Sequence, residues 1–272
     1  MNKYQKIIKN WEAPFNKETA DAWNELRPKI EGSNAGRSRV VSFSWKPLFS
    51  VAAAAAVIVA IVMVWPKSRL ILRQTAAGQT ETIILPDQSV LTLNASSSIS
   101  YNDDWSKERT LELDGQAFFE VKKGSNFSVV TDKGIVEVLG TSFDVFARQD
   151  QFKVECLTGK VRVSSGQNHV EITPGNKAEL SGKALLISAF DMARSDWRVG
   201  EFVYVDEPIR NVFDELERQF NIKIVAPKIE KLYNGNFNNK SLNVALEHIC
   251  LPMGLKFEIQ PDSVVMITEI VR

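Results

Sequence analysis

Few side chains in this chain are of the types that perform catalysis or bind metal ions. Its 272 residues include only two histidines and two cysteines. Neither His169 nor His248 has a second ligand at the spacing of a helical turn or a hairpin, so the pattern predicts no metal site. No Gly-x-Ser-x-Gly elbow and no phosphate-binding glycine-rich loop occurs. The sequence therefore favours a protein that is not an enzyme and that uses no cofactor.

The remaining reactive groups fit structural or surface roles. His169 lies in a turn-rich segment and His248 on the polar side of a predicted helix, so both should be exposed. Cys156 and Cys250 fall in different modules; two buried free thiols are the favoured prediction, and a disulfide formed in an oxidising compartment is the alternative. The following carboxylates are typical of a solvated surface: Asp87, Asp103, Asp104, Asp114 and Glu120.

The element that organises the chain is an uncharged run of 18 residues, Leu48 to Trp65. As a helix it would extend roughly 27 Å, close to the thickness of a bilayer's hydrocarbon core. It predicts one transmembrane helix over residues 47–66. A core helix is usually shorter, and a signal peptide would lie nearer the N-terminus. The residues predicted to lie in the membrane include Leu48, Val51, Val57, Ile61 and Trp65.

Charge indicates only weakly which way this helix would cross. Three basic residues flank each end, which leaves the positive-inside rule undecided. Residues 1–46 hold nine Lys or Arg and five Asp or Glu, whereas residues 67–272 hold 24 and 28. The asymmetry slightly favours a cytoplasmic N-terminus, and it gives no sign of a nucleic-acid-binding surface.

The short piece before the helix, residues 1–46, is too small for a sizeable core of its own. A helix is predicted from Asn16 to Lys29, because apolar residues recur there at helical spacing. A similar stretch precedes Pro14. These two amphipathic helices are expected to fold against a partner protein; the alternatives are the membrane surface or a loose hairpin. The residues predicted to make the contact are Trp11, Trp23, Leu26 and Ile30.

The long piece begins with a strand-rich region, residues 67–190. Short alternating runs are separated by turn pairs such as Asp114-Gly115 and Thr158-Gly159, which predicts an all-β domain, either an antiparallel sandwich or a solenoid-like stack. The clearest predicted strands are 81–85, 89–93, 109–113, 116–121, 127–131, 135–139, 142–147, 152–157 and 160–163.

Residues 197–272 follow a different pattern, with a repeat of 33 residues. Pro208 is expected to open a helix and Ser241 to cap a second one, and a strand should follow each helix. The two helices share one apolar pattern: Ile209, Val212, Phe213 and Leu216 correspond to Leu242, Ala245, Leu246 and Ile249. We therefore predict a small α+β domain with two helix–strand repeats.

Several motifs of the long piece occur in one order along the chain. They are LPDQSV and LNASS between residues 85 and 97, RTLELDGQAFFEV at 109–121, FSVVTDKGIVEVLGTSFDV at 127–145, LTGKV at 157–161 and TPG at 173–175. Together they resemble the signature of the FecR family of transmembrane sigma-factor regulators, in its Bacteroidetes-type form. The stretch from Trp197 to Ile259 is similar to the C-terminal domain these proteins often carry.

The sequence departs from the family pattern at three positions. Gln88 replaces the usual glycine, Gln116 the usual glutamate and Asp144 the usual asparagine. A glutamine at position 88 fits a tight left-handed turn poorly. Other signature residues are expected to hold turns and strand ends, and so to be structural: Asp87, Asn94, Gly115, Gly140, Thr141 and Gly159.

The resemblance implies a mechanism and settles the orientation. Residues 1–46 would bind an extracytoplasmic-function sigma factor in the cytoplasm. The protein would be embedded in the inner membrane, with its C-terminal bulk in the periplasm, where it would receive a signal from the signalling domain of an outer-membrane TonB-dependent transporter. Release of the sigma factor could involve an intramembrane or periplasmic protease. Contact with the transporter is predicted at Ile222, Ile224, Leu255 and Phe257, by sheet-edge pairing.

A different class of function is the alternative. A membrane-anchored periplasmic assembly or carbohydrate-binding module would also explain the strand-rich region. It would leave the amphipathic N-terminal helices without a purpose.

Overall fold

The structure, a computed structural model, describes residues 21, 23–25, 27–28, 69–106, 108–192 and 196–270. The chain divides into two compact units, Met1–Pro66 and Lys67–Arg272. In the first unit the described residues are helical and exposed, within the helix predicted from Asn16 to Lys29. The predicted span, residues 47–66, lies outside the described residues. Within the described part of the chain, no helix has the length and apolar character needed to cross a membrane.

The second unit begins with a strand-rich domain, called here the β domain (residues 69–192). Its strands are Leu70–Gln74 (β1), Glu81–Ile84 (β2), Val90–Leu93 (β3), Ser98–Asn102 (β4), Arg109–Glu120 (β5), Phe127–Val130 (β6), Ile135–Val138 (β7), Ser142–Arg148 (β8), Gln151–Cys156 (β9), Val161–Ser165 (β10), Asn168–Ile172 (β11), Asn176–Ser181 (β12) and Ala184–Ala189 (β13). The strand-rich prediction for this region is confirmed.

The long strand β5 belongs to two sheets. Its first half pairs with β4 and β6 in the sheet ordered β1-β4-β5-β6-β7-β10-β11. Its second half pairs with β3 and β8 in the sheet ordered β2-β3-β5-β8-β9-β12-β13. The pairing of β5 with β6 is parallel, while its pairings with β3, β4 and β8 are antiparallel. One strand thus holds both sheets together.

Gly115 is where β5 passes from one sheet to the other. The prediction of a turn at Asp114-Gly115 was wrong, because the strand continues through both residues. Gly115 has φ +116°, and a Cβ atom there would lie 2.8 Å from the Cα of Ser97. Glycine is therefore needed both for the backbone angle and for the close approach, and it bends the strand rather than ending it.

Aromatic side chains from both sheets share one core. Phe119 stacks on Phe143 with 5.0 Å between ring centroids, and its ring also meets Phe127 of the other sheet edge-on at 6.1 Å. All three rings are fully buried. This common core makes the domain a two-layered sandwich, and the solenoid-like alternative does not apply.

The C-terminal domain (residues 196–270) contains the predicted repeat. Its elements are Glu201–Pro208 (β14), Ile209–Phe220 (α1), Lys223–Val225 (β15), Leu232–Asn238 (β16), Leu242–Cys250 (α2), Leu255–Gln260 (β17) and Val264–Glu269 (β18). Strands β14 and β16 pair with each other, and β15-β18-β17 form a second sheet. The two helix–strand units are confirmed.

The helices of this domain bury the faces that their spacing predicted. Ile209, Val212, Phe213 and Leu216 of α1 and Ala245, Leu246 and Ile249 of α2 are all buried in one core. Pro208 ends β14 and forms the N-cap of α1, and Ser241 is the N-cap of α2 without a capping hydrogen bond from its side chain.

Candidate functional site: the interface between the two domains

The residues with reactive side chains do not form a cluster. His169 and His248 are exposed, as predicted. Cys156 and Cys250 are buried and free, which confirms the prediction of two free thiols. Burial raises the pKa of both thiols to about 11, so they are protonated and unreactive at neutral pH. In the described residues, no group of three or more His, Cys, Asp or Glu side chains could hold a metal ion.

The predicted sigma-factor contacts fall mostly outside the described part of the chain. Trp23 is helical and its side chain is 62% exposed. Trp11, Leu26 and Ile30 lie outside the described residues, as do the five residues predicted to lie in the membrane. The contact therefore stays a prediction.

The side chains predicted to contact the transporter lie in or against the core of the C-terminal domain, and the contact itself stays a prediction. Ile224 is 4% exposed and Leu255 is fully buried, and both belong to the core of the C-terminal domain. Ile222 and Phe257 are half-buried against the same core. These apolar side chains therefore contribute to the interior of the C-terminal domain. Strands β15 and β17 are nevertheless the outer strands of their sheet.

One buried polar cluster links two signature motifs inside the β domain. The Arg109 guanidinium forms an ion pair with Asp87 at 2.8 Å, and both side chains are largely buried. Asp87 also accepts hydrogen bonds from the backbone N–H and the hydroxyl of Ser89. Arg109 donates further to the carbonyl oxygens of Lys122 and Ser125. We call Asp87, Ser89 and Arg109 the ion-pair cluster. Its geometry fits the structural role predicted for Asp87, whereas the prediction that this carboxylate lies on a solvated surface was wrong.

The turn before Ser89 is left-handed despite its glutamine. Gln88 has φ 65°, and its N–H donates to the carbonyl of Leu85 at 2.8 Å. The expectation that glutamine fits this turn poorly was wrong, because the surrounding hydrogen bonds stabilise the conformation.

A second polar cluster crosses from the β domain to the C-terminal domain. The Asn94 side-chain amide donates to Oε1 of Gln116 at 2.8 Å. The Nε2 of Gln116 in turn donates to Oδ1 of Asp144 at 2.9 Å. The other oxygen of Asp144 accepts the indole N–H of Trp197 at 2.8 Å. Gln219 of α1 donates to the side-chain oxygen of Asn94 at 3.0 Å. These five residues, Asn94, Gln116, Asp144, Trp197 and Gln219, are called here the interdomain network.

The interdomain network is shielded from water. Asn94 is fully buried, and Gln116, Asp144 and Gln219 are each less than 9% exposed. Buried polar groups without partners are costly, so a network with complete hydrogen bonding fixes one arrangement of the groups that it joins. The network therefore holds the two domains in a single relative position.

The backbone adds a direct link beside this network. The Gly78 N–H donates to the carbonyl of Arg218 near the end of α1, at 2.7 Å. Gly78 has φ +72°, and a Cβ there would lie 3.3 Å from the Gln219 carbonyl oxygen. A side chain at this position would strain both the turn and the contact.

Charged groups surround the network on the α1 side. Gln149 donates to Asp214 at 3.2 Å, across the interface. Arg148 donates to the carbonyls of Ala95 and Ser96 from within the β domain. Burial lowers the pKa of Arg148 to about 10, partly offset by Glu215 of α1. It stays charged at neutral pH.

Asp144 is the titratable member of the network. Burial, together with the nearby carboxylate of Glu155, raises the pKa of Asp144 to about 7. Hydrogen bonds from Gln116 and Trp197 favour the charged form but do not outweigh burial. The charge of the interface therefore changes close to neutral pH.

A cleft of about 460 Å³ opens next to the network, lined by residues of both domains. Aromatic rings of Phe146, Trp197 and Tyr204 face it together with charged groups of both signs. Lys153 lies there with its ammonium 3.5 Å from Glu155. The cleft thus lies against the residues that hold the domains together.

This interface was not predicted from the sequence. Asn94 was expected only to hold a turn, and Gln219 was not singled out. The departures at Gln116 and Asp144 were the available signal, because these two residues form one hydrogen bond with each other.

These features define a two-domain protein, in which a β-sandwich and a small α+β repeat domain are held together by a buried polar interface. The FecR protein family matches residues 73–162, and the family described as FecR, C-terminal, matches residues 201–266. The chain belongs to the FecR family.

Two solved structures are similar to this chain. Two crystal structures of a candidate anti-sigma factor from Parabacteroides distasonis, at 2.50 and 1.65 Å resolution, are each 27% identical to this chain. They match with TM-scores of 0.71 and 0.70, over 75% and 74% of this chain and all of theirs. No curated protein matches the chain.

Proposed function

We propose that this protein is a transmembrane anti-sigma factor. Residues 1–46 bind an extracytoplasmic-function sigma factor in the cytoplasm, and residues 47–66 cross the inner membrane. Residues 67–272 form the periplasmic part that receives the signal. The protein acts by binding and carries no catalytic role.

The observation that carries this proposal is the match to the Parabacteroides distasonis protein. That structure is covered along its whole length, and the match spans 75% of this chain. An identity of 27% over this length, with two FecR family matches in the same order, supports a shared role as an anti-sigma factor.

The geometry suits a signal receiver. A partner that binds the C-terminal domain would act on α1, and α1 contacts the β domain through Gln219 and the Arg218 carbonyl. A change at the interdomain network would therefore reach the domain that begins directly after the predicted membrane span.

The signal would come from the signalling domain of an outer-membrane TonB-dependent transporter. Strands β15 and β17 have free edges within the described sheet, which suits the addition of a partner strand. The recognition would rest on backbone groups and on exposed side chains such as Lys223 and Lys256, since Ile224 and Leu255 are buried.

Release of the sigma factor would follow cleavage by an intramembrane or periplasmic protease. A single helix can rotate and slide in the bilayer, so it transmits a subtle conformational change poorly. Cleavage, or a change of oligomeric state, is an easier switch. A full-length protein made resistant to cleavage that still responds to the signal would contradict the cleavage step.

The test is a pull-down with residues 1–46 as bait in lysate of the source bacterium. We expect one sigma factor to be recovered with the wild-type segment and lost with Trp23→Glu, because a charged group would be placed in the apolar contact. Asn24→Glu is the matched control, since Asn24 is an exposed neighbour on the same helical segment.

Recovery of no sigma factor would contradict the proposal and would favour the membrane-anchored assembly or carbohydrate-binding module. Equal loss with Trp23→Glu and Asn24→Glu would show that added charge, and not Trp23, decides the binding.

A further inference from the structure

We propose that one end of the β domain rests on the lipid surface of the membrane that residues 47–66 are proposed to cross. Three exposed apolar side chains, Leu70, Ile84 and Leu139, make the contact by entering the interfacial layer of the bilayer. This inference rests on the membrane span of the proposed function, and it adds a contact that the span itself does not require.

Large apolar side chains are strongly exposed at this end of the molecule. Among the described residues of the β domain, the three most exposed are Ile84 at 72%, Leu70 at 71% and Leu139 at 62%. They belong to β2, to β1 and to the segment after β7. A single exposed apolar residue is ordinary, but several from separate elements at one place indicate a surface that contacts something other than water.

Strand pairing places all three side chains at the same end of the sandwich. Leu70 starts β1, which pairs with the end of β4, and the end of β4 lies beside Arg109 at the start of β5. Arg109 also pairs with the start of β6, and the start of β6 pairs with the end of β7, which Leu139 follows. Ile84 precedes the turn that carries Asp87, and Asp87 forms the ion pair with Arg109. The three side chains therefore share the end of the sandwich that holds Arg109.

The chain enters the β domain at this same end. Leu70 comes four residues after Pro66, where the predicted span ends. Four residues extend over at most about 14 Å, and the interfacial layer beside the hydrocarbon core is itself about 5–8 Å thick. Leu70 therefore lies close to the bilayer, and Ile84 and Leu139 lie at its end of the domain. This short connection is what identifies lipid as the occupant.

The charges at this end allow the contact without driving it. Long basic side chains can keep their charged groups among the lipid headgroups while apolar neighbours lie deeper. The exposed charged residues there are of both signs and include Arg69, Lys122, Lys123, Asp103, Glu108 and Glu120. We therefore expect burial of apolar side chains, and not attraction to anionic lipid, to decide the contact.

The contact between the β domain and α1 lies at the other end of β1. Gly78, which follows this strand, donates its N–H to the Arg218 carbonyl, and Gln219 donates to Asn94. A β domain that rests on lipid through Leu70 therefore leaves its link to the C-terminal domain uncovered.

The experiment measures lipid contact in the full chain, reconstituted into phosphatidylcholine vesicles in which a fraction of the lipid carries a nitroxide quencher on its acyl chain. Ile84→Cys and Leu139→Cys are labelled separately with a nitrobenzoxadiazole fluorophore, since the two native thiols are buried. We expect both labels to lose fluorescence to the lipid nitroxide. Position 70 would lie near lipid through its short connection alone, so positions 84 and 139 decide the test.

Leu186→Cys is the matched control for the labelled positions. Leu186 is 55% exposed, and strand pairing through β12, β9 and β8 sets it level with Gln116, beside the bend of β5 and away from Arg109. A label there should keep its fluorescence in the same vesicles and should stay accessible to iodide in the water.

A charge substitution tests whether the apolar side chains cause the contact. In the chain labelled at Ile84→Cys, Leu139→Glu should lower the ratio of membrane-bound to free β domain at least about tenfold, because a buried leucine is replaced by a charge. Leu186→Glu is the control and should leave the quenching unchanged.

The outcomes separate this inference from the proposed function. Flotation of the vesicles after an alkaline carbonate wash reports whether the chain is embedded, and a chain that does not float contradicts the proposed span together with this inference. A chain that floats while the lipid nitroxide quenches neither label overturns this inference alone. Labels protected from iodide but not quenched by lipid would show that a second copy covers this end, which also overturns it. Quenching that Leu139→Glu leaves unchanged would show that the apolar side chains do not hold the contact.

Discussion

The two buried polar clusters of this protein differ in chemistry and in what they join. The ion-pair cluster, Asp87, Ser89 and Arg109, lies inside the β domain and uses opposite formal charges. The interdomain network joins two domains and consists of amides, an indole and one carboxylate. Breaking a buried ion pair leaves an uncompensated charge, whereas losing an amide hydrogen bond costs far less. The ion-pair cluster therefore stabilises the inside of one domain. The interdomain network holds an interface whose hydrogen bonds a partner could rearrange.

The largest effect should come from Arg109→Ala. It leaves the buried Asp87 carboxylate without its partner, so the free energy of unfolding should fall by about 3 kcal/mol. Urea denaturation of residues 67–272 measures this. Arg162→Ala, which removes an exposed ion pair with Glu171, should change stability little. Similar losses in the two variants would show that the buried cluster has no special role.

The next effect concerns the carboxylate of the interdomain network. Gln116→Glu would place a second carboxylate beside Asp144, at a separation near the present 2.9 Å between Gln116 and Asp144. Two buried carboxyl groups this close cannot both be ionised, so one must stay protonated, and the free energy of unfolding should fall by about 2–3 kcal/mol at neutral pH. Adding Asp144→Asn should restore most of it, because the carboxylate introduced at position 116 could then accept hydrogen bonds from the amide at position 144 and from Asn94. Urea denaturation of the single and double variants measures both changes, and failure of the double variant to recover would contradict the network as described.

The pH dependence of stability gives a third comparison. The pKa of Asp144 is about 7 in the folded protein and 3.8 when unperturbed. The folded state therefore binds more protons between these values, and Asp144 lowers stability progressively as the pH rises through this window. Relative to Asp144→Asn, the wild type should lose about 2 kcal/mol between about pH 5 and about pH 8. Parallel stability curves for the two proteins would contradict the raised pKa.

The smallest effect is expected for Gln219→Ala. It removes the side-chain hydrogen bond between α1 and Asn94, so stability should fall by about 1 kcal/mol. Hydrogen exchange at the Gly78 amide should speed up, because that group donates to the neighbouring Arg218 carbonyl. Gln79→Ala, at an exposed glutamine, is the control. Unchanged exchange at Gly78 would mean that Gln219 does not hold the interface.

The positions that depart from the family pattern explain part of what the sequence could not show. The usual pair, glutamate at 116 and asparagine at 144, becomes glutamine and aspartate here. The two residues form one hydrogen bond, so the carboxylate has moved from one side of that bond to the other. A single sequence shows each departure separately. The pairing of β5 with β8 brings the two side chains within hydrogen-bond distance.

The elements themselves were more predictable than their connections. The alternation of apolar and polar residues predicted the boundaries of β3, β6 and β7 to within a residue or two. The helical spacing of apolar residues predicted the buried face of α1. The bend at Gly115 was mistaken for a turn, because a glycine after an aspartate signals both. Ile224 and Leu255 were predicted as transporter contacts, and both lie in the core of the C-terminal domain, because apolar character alone does not distinguish a core residue from a docking residue. Asn94 and Gln219 are 125 residues apart, and no local pattern brings them together.

The shared strand β5 has a consequence for synthesis of the protein from its N-terminus. Strands β1 to β4 are made first, so β3 can pair with β2 and β4 with β1. Both β3 and β4 gain their second partner, β5, only when residues 109–120 have emerged. Neither sheet of the β domain can be completed without β5, and the same strand is needed by both sheets. We expect the nascent domain to gain resistance to proteases in a single late step and not layer by layer.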